Sequence, residues 1–233
     1  MSRKLLSYTA IGLILGSTAI ADVPKVAVDI APVHSLVARV MDGVGSPKLV
    51  IPAGASPHEY SLRPSEAKSL QDADMIIWIG EDLAPWMENS IETLSKNAEV
   101  ITLLKESETK LLEFREGALF EEHDHGDHDD HDDHDDHDKE HDDHDDHDDH
   151  DDHAHGEHDP HAWLSIENAQ TWLNLVAGKL SAADPDNAGV YFANAAAARE
   201  EINDLVKDVN SILEPVRGRN FVVFHDAYQY FET

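Results

Sequence analysis

Between Glu121 and Asp159 lies a stretch of 39 residues that no hydrophobic core can use. It is built on a His-Asp-Asp repeat with a period of three and carries 22 acidic residues against one lysine, Lys139. It holds thirteen histidines: His123, His125, His128, His131, His134, His137, His141, His144, His147, His150, His153, His155 and His158. Such a segment has no apolar periodicity and nothing to bury, so without metal it is expected to be disordered. Any fold must therefore be assembled across it, from the blocks on either side. The segment also accounts for −21 of the formal charge of −31, leaving an ordinary −10 for the rest. A balance so acidic excludes a nucleic-acid binder, because phosphate backbones are held by Lys and Arg, and it favours cations as partners.

The chain has no cysteine among its 233 residues. A disulfide scaffold and a thiolate zinc finger are both excluded, and any transition-metal site must use imidazole and carboxylate. The N-terminus carries an export address: Arg3 and Lys4, an apolar run over 5–20 broken by small and polar residues, then Ala19-Ile20-Ala21 in the small-x-small pattern of a cleavage site. The run is short for a bilayer, so residues 1–21 read as a cleavable signal peptide, the mature chain beginning near Asp22 in the periplasm. With no cysteine after the cleavage site, a lipid anchor there is impossible.

Beyond the signal, apolar runs alternate with helical patterns. Strands are expected over Lys25–Ile30, Lys48–Ile51, Asp74–Ile79 and Glu99–Leu103, the third apolar throughout and so buried on both faces. Helices are expected over His34–Val44, Ser65–Asp72 and Leu83–Ser95. This is the alternation of an α/β protein with a parallel sheet flanked by helices. After the acidic segment, Ser165 caps a helix running to about Leu180. Asp184-Pro185 then opens a long pattern in which Tyr191, Ala195, Ala198, Ile202, Leu205, Val209 and Ile212 recur at three or four residues. At 1.5 Å per residue this helix spans roughly 45 Å, the length of a strut between two lobes. Asn220–Phe224 reads as a further buried strand, leading into His225. The organisation expected is an N-terminal lobe over 22–120 and 160–183, the acidic loop 121–159, a linking helix 184–215, and the start of a second α/β lobe over 216–233.

Four histidines stand outside the acidic segment. His58 follows a strand and a Gly/Pro loop. His225 sits at the end of the expected last strand. His161 stands in a rigid turn, Asp159-Pro160-His161, just before a helix cap. Parallel α/β sheets place ligands at the carboxyl ends of their strands, and three imidazoles are a usual zinc set with one position left open. A strand-end histidine taken alone is more often a hydrogen-bonded loop or core residue; three beside a metal-attracting segment point to a site. His34, at a helix start, is expected to serve capping or packing. Glu59, next to His58, is a candidate fourth ligand through a carboxylate oxygen. No His-Glu-x-x-His or Gly-x-Ser-x-Gly pattern occurs, so no enzyme is expected.

Three segments carry a family resemblance. Gly54-Ala55-Ser56-Pro57-His58-Glu59-Tyr60 with Leu62-Arg63-Pro64-Ser65, then Asp159-Pro160-His161-Ala162-Trp163-Leu164-Ser165, then Phe224-His225-Asp226-Ala227-Tyr228 with Tyr230-Phe231 resemble, in order, the ligand segments of ZnuA-type periplasmic zinc-binding proteins of ABC importers, within the cluster A-I metal-binding family. The acidic insertion before the second segment is also typical of the zinc members. The resemblance implies two α/β lobes joined by a rigid helix, with the metal between them on His58, His161 and His225. It implies a monomer that captures zinc, Zn2+ being its transported ligand, and delivers it to a permease at the inner membrane. Manganese relatives have a glutamate at the third position; His225 there favours zinc on ligand softness. A manganese or iron binder and a periplasmic zinc buffer without a transporter are the alternatives. Family members continue for most of another lobe after the third segment, whereas this chain stops at Thr233, so the second lobe is expected to be mostly missing. The acidic loop is expected to gather zinc weakly and pass it to the three-histidine site; its bland alternative is a solvated spacer.

Overall fold

A computed structural model describes residues 22–115 and 158–232. The expected signal peptide and all of the acidic segment's histidines except His158 lie outside the described residues. Four parallel strands form one sheet: β1 (Val26–Val28), β2 (Lys48–Leu49), β3 (Met75–Trp78) and β4 (Glu99–Thr102), in the order β2-β1-β3-β4. The two central strands are buried residue by residue, as the unbroken apolar run of β3 predicts for a sheet covered on both faces. All four strands are shorter than their apolar runs. Beyond β2 the backbone pairing nevertheless continues, Val50 N–H donating to Val28 and Ile51 N–H to Asp29.

The helices are α1 (Ala31–Val40), α2 (Pro64–Gln71), α3 (Pro85–Leu94), α4 (Ile166–Ala183), α5 (Ala188–Leu213) and a short α6 (Gln229–Glu232). Proline stands first or second in each of the first three, where its missing N–H costs nothing. Ser165 caps α4, its hydroxyl accepting from Asn168 N–H at 3.2 Å. The chain crosses the sheet one way from β1 to β2 and the other way from β2 through β3 to β4. Right-handed crossovers therefore place α1 on one face and α2 with α3 on the other. The packing agrees: α2 lies against α3, while α1, α4 and α5 pack together.

The long helix is 26 residues, about 39 Å. Its first half carries out the predicted stripe: Tyr191, Ala195 and Ala198 are buried, and Asn194 donates to the Val40 and Asp42 carbonyls. Its second half outruns the lobe. Leu205 and Ile212 belong to the same stripe yet are 55% and 73% exposed.

The strand expected over Asn220–Phe224 does not form. Those residues take no regular structure, and Val222 and Phe224 are 98% and 102% exposed. A β-branched and aromatic run supplies propensity, but a strand also needs a neighbour to complete its hydrogen bonds. Among the described residues none pairs with it.

The strand order reverses between β1 and β3, the position where α/β sheets open a crevice. Asp29 closes it from inside. Fully buried, its carboxylate accepts from Ile30 N–H and from Ile79 N–H, both at 2.7 Å, and so ties the ends of β1 and β3 together. Burial outweighs those two hydrogen bonds and pushes its pKa up from 3.8 to about 7. A carboxyl raised in the folded state stabilises the fold fully below its unfolded value, and that contribution is lost as pH rises through the folded value. The expected outcome is that wild type gains stability over Asp29→Asn as pH falls from 8 to 5, by up to ~1.4 kcal/mol per pH unit. Urea denaturation of both proteins across that range measures it.

Candidate metal centre

His58 stands on the loop between β2 and α2. Gly54, at φ 87°, makes the turn that Ala55 N–H closes onto Pro52. The Trp86 indole at the start of α3 then donates to the Pro57 carbonyl at 2.8 Å, pinning the backbone just before His58. Tyr60 continues the anchor: its ring lies 5.8 Å from that of Trp86, and its hydroxyl donates to Glu66, which also accepts from Arg63 N–H to cap α2.

His161 is the most firmly held of the three. Asp159, 2% exposed, accepts from the His161 backbone N–H at 2.9 Å and from its ring Nδ1 at 2.7 Å. The carboxylate therefore sets both the turn and the tautomer, leaving Nε2 as the donor for a metal. Leu164 N–H bonds back to the His161 carbonyl, and the turn runs through Ala162–Leu164 into the α4 cap. Asp159 is a functional residue that reading for ligands alone passes over. Its signal is the Asp-x-His spacing, short enough for one carboxylate to reach both the backbone N–H and the ring Nδ1 of the same histidine.

His225 arrives from the irregular segment before α6. Its Nε2 stops 3.4 Å from that of His161. Two nitrogens bound to zinc at ~2.05 Å with tetrahedral angles lie about 3.3 Å apart, so this edge is already at coordination spacing. The ring centres are 5.3 Å apart for His161 and His225, 5.7 Å for His58 and His161, and 6.1 Å for His58 and His225. One ligand nitrogen from each ring lies within 4.8 Å of the other two. His58 keeps an exposed edge, yet desolvation first and the two facing imidazoles second hold its pKa below the ordinary 6.5. Ligation requires that neutral form.

The other candidates fall elsewhere. His34 Nε2 lies 3.2 Å from the Pro47 carbonyl, tying α1 to the loop before β2. Glu59, offered as a fourth ligand, is exposed and outside the three-histidine group. His158 makes an isolated antiparallel bridge with Glu113 and is not in the group. Among the described residues the candidate centre is thus three imidazoles whose ligand nitrogens lie within 4.8 Å of one another, a set that could hold a metal.

The family model for the zinc-uptake complex component A, periplasmic (ZnuA), matches residues 26–233. The chain belongs to this family. A high-affinity zinc uptake system protein ZnuA from Paracoccus denitrificans is 54% identical over 220 residues, which are 93% of this chain and 66% of that relative. The chain therefore spans just under two thirds of the relative's length. A ZnuA crystal structure with residues 138–173 deleted and zinc bound superposes with a TM-score of 0.64 at 22% identity, over 89% of this chain and 65% of that one. A manganese-bound periplasmic protein from Candidatus Liberibacter asiaticus gives 0.62 at 20% identity, over 88% of this chain and 64% of that one. Both structures share this chain's fold.

Two outcomes are expected. Asp159→Ala frees the His161 ring and lowers zinc affinity tenfold to a hundredfold in competition with a zinc indicator; unchanged affinity would make Asp159 a purely structural turn residue. Zinc affinity stays level above pH ~7 and falls on acidification through ~6, as protons compete for the imidazoles. The same titration repeated at pH 7.5, 6.5 and 5.5 checks the sign.

Proposed function

We propose that this chain is the zinc-capturing component of an ABC importer, taking zinc in the periplasm as a monomer and delivering it to a membrane permease. The observation that carries the reading is the 3.4 Å separation of the His161 and His225 nitrogens, with His58 beside them. Family membership, the zinc-uptake name of the Paracoccus relative and the export pattern at residues 1–21 support it. The role involves binding and release only, without a bond-making step. An imidazole at position 225, in place of a carboxylate, supports zinc over the harder manganese.

The acidic segment serves in this reading as an accessory. Imidazole and carboxylate both bind zinc, and a segment with thirteen histidines offers many interchangeable ligand sets. Each set is weak, because ordering the chain around it costs entropy, but tethering raises the local zinc concentration beside the centre. Deleting residues 123–157 is expected to leave one tight zinc per chain and to remove several weak ones, as read by calorimetry. In competition, zinc should displace manganese from the remaining site. Loss of the tight zinc on deletion would overturn the separate three-histidine site, and preference for manganese would overturn the zinc assignment.

A further inference from the structure

His225 has no regular element to hold it. Upstream, Val222 and Phe224 are almost wholly exposed. Downstream, Ala227 and Tyr230 are buried, and the Tyr230 hydroxyl accepts from Leu112 N–H at 2.9 Å while donating to the Asp159 carbonyl at 3.0 Å. The residue next to His225 is Asp226, and it is gripped from far along the chain. Arg115 donates to both of its carboxylate oxygens, Nε to Oδ2 at 3.0 Å and Nη2 to Oδ1, and its Nη1 reaches Glu232 at 2.7 Å. The guanidinium thus spans 226 to 232, and the Arg115 and Asp226 side chains are only 19% and 22% exposed.

Arg115 does not act from an isolated position. Its own segment accepts Asp159 N–H at the Leu112 carbonyl, 2.8 Å away, and bridges His158 through Glu113. The stretch 112–115 therefore touches Asp159, which orients the second ligand, and Asp226, which adjoins the third. A bidentate guanidinium–carboxylate fork fixes direction as well as distance. We propose that Arg115 is a positioning residue of the metal centre, whose fork on Asp226 holds His225 at coordination distance from His161. This rests on the three-histidine reading above.

The sign of the effect separates positioning from charge. A cation beside a zinc site repels the metal, so an arginine acting only through its charge would, once neutralised, leave zinc bound more tightly. A positioning arginine does the reverse. In the full chain, Arg115→Gln is expected to weaken the tight zinc tenfold to a hundredfold, the range found when groups that orient metal ligands are removed. It should also shift and weaken the visible absorption bands of bound cobalt. Arg115→Lys keeps the charge but not the fork, so its affinity should fall with that of the glutamine variant rather than stay at the wild-type value. Asp226→Asn should reproduce the glutamine variant, and combining them should add no further loss. His161→Ala serves as the reference for the site itself. If it loses the tight zinc while Arg115→Gln binds as wild type or tighter with an unchanged cobalt spectrum, the positioning role is overturned and the site stands. If His161→Ala binds zinc as wild type does, the site and the positioning role fall together.

Discussion

Tetrahedral zinc asks for nitrogens about 3.3 Å apart; in the function proposed above, that spacing has to come from positions 58, 161 and 225, with a long acidic insertion between the first two. Each ligand is secured by a different device. His161 is fixed by one carboxylate that holds both its backbone and its ring. His58 sits on a loop pinned to α3 by the Trp86 indole. His225 lies between an exposed run and a buried one, next to an aspartate held by Arg115. His161 alone of the three is buried, and both its backbone and its ring are hydrogen-bonded, so it is the reference against which the other two are placed.

The sheet sets where this can happen. Because the connections that follow β1 and β3 leave in opposite directions at the strand-order reversal, a crevice opens at the ends of these two paired strands. Asp29 stitches the floor of that opening with two backbone hydrogen bonds, at the cost of burying a carboxyl. The helices α1, α4 and α5 form one packed face, and α4 brings the His161 turn to the site through its Ser165 cap. Glu113 and His158 bridge one another next to Asp159.

Most of the fold is legible in the sequence itself. Alternating apolar runs and helical spacing gave the parallel sheet and its helices, and the four histidines outside the acidic segment separated into three that converge and His34, which ties α1 down. What failed or was missed depends on partners distant in sequence. Asn220–Phe224 has the composition of a strand, but composition does not provide the neighbour that a ladder needs. Leu205 and Ile212 continue the stripe of α5 past the end of the surface it packs on. The Trp86–Pro57 and Arg115–Asp226 contacts join residues 29 and 111 positions apart, and no local pattern announces either. Asp159 was within reach, since its spacing to His161 is local, but it is not itself a ligand.

The account stands on three imidazoles sharing one metal. Zinc-edge X-ray absorption on the chain lacking residues 123–157, loaded with one equivalent of zinc, tests that directly. It should show three imidazole nitrogens at 2.0–2.1 Å with one further light donor, falling to two imidazoles in the His225→Ala variant. A zinc held by carboxylate and water with one imidazole or none, unaltered by that substitution, would contradict it.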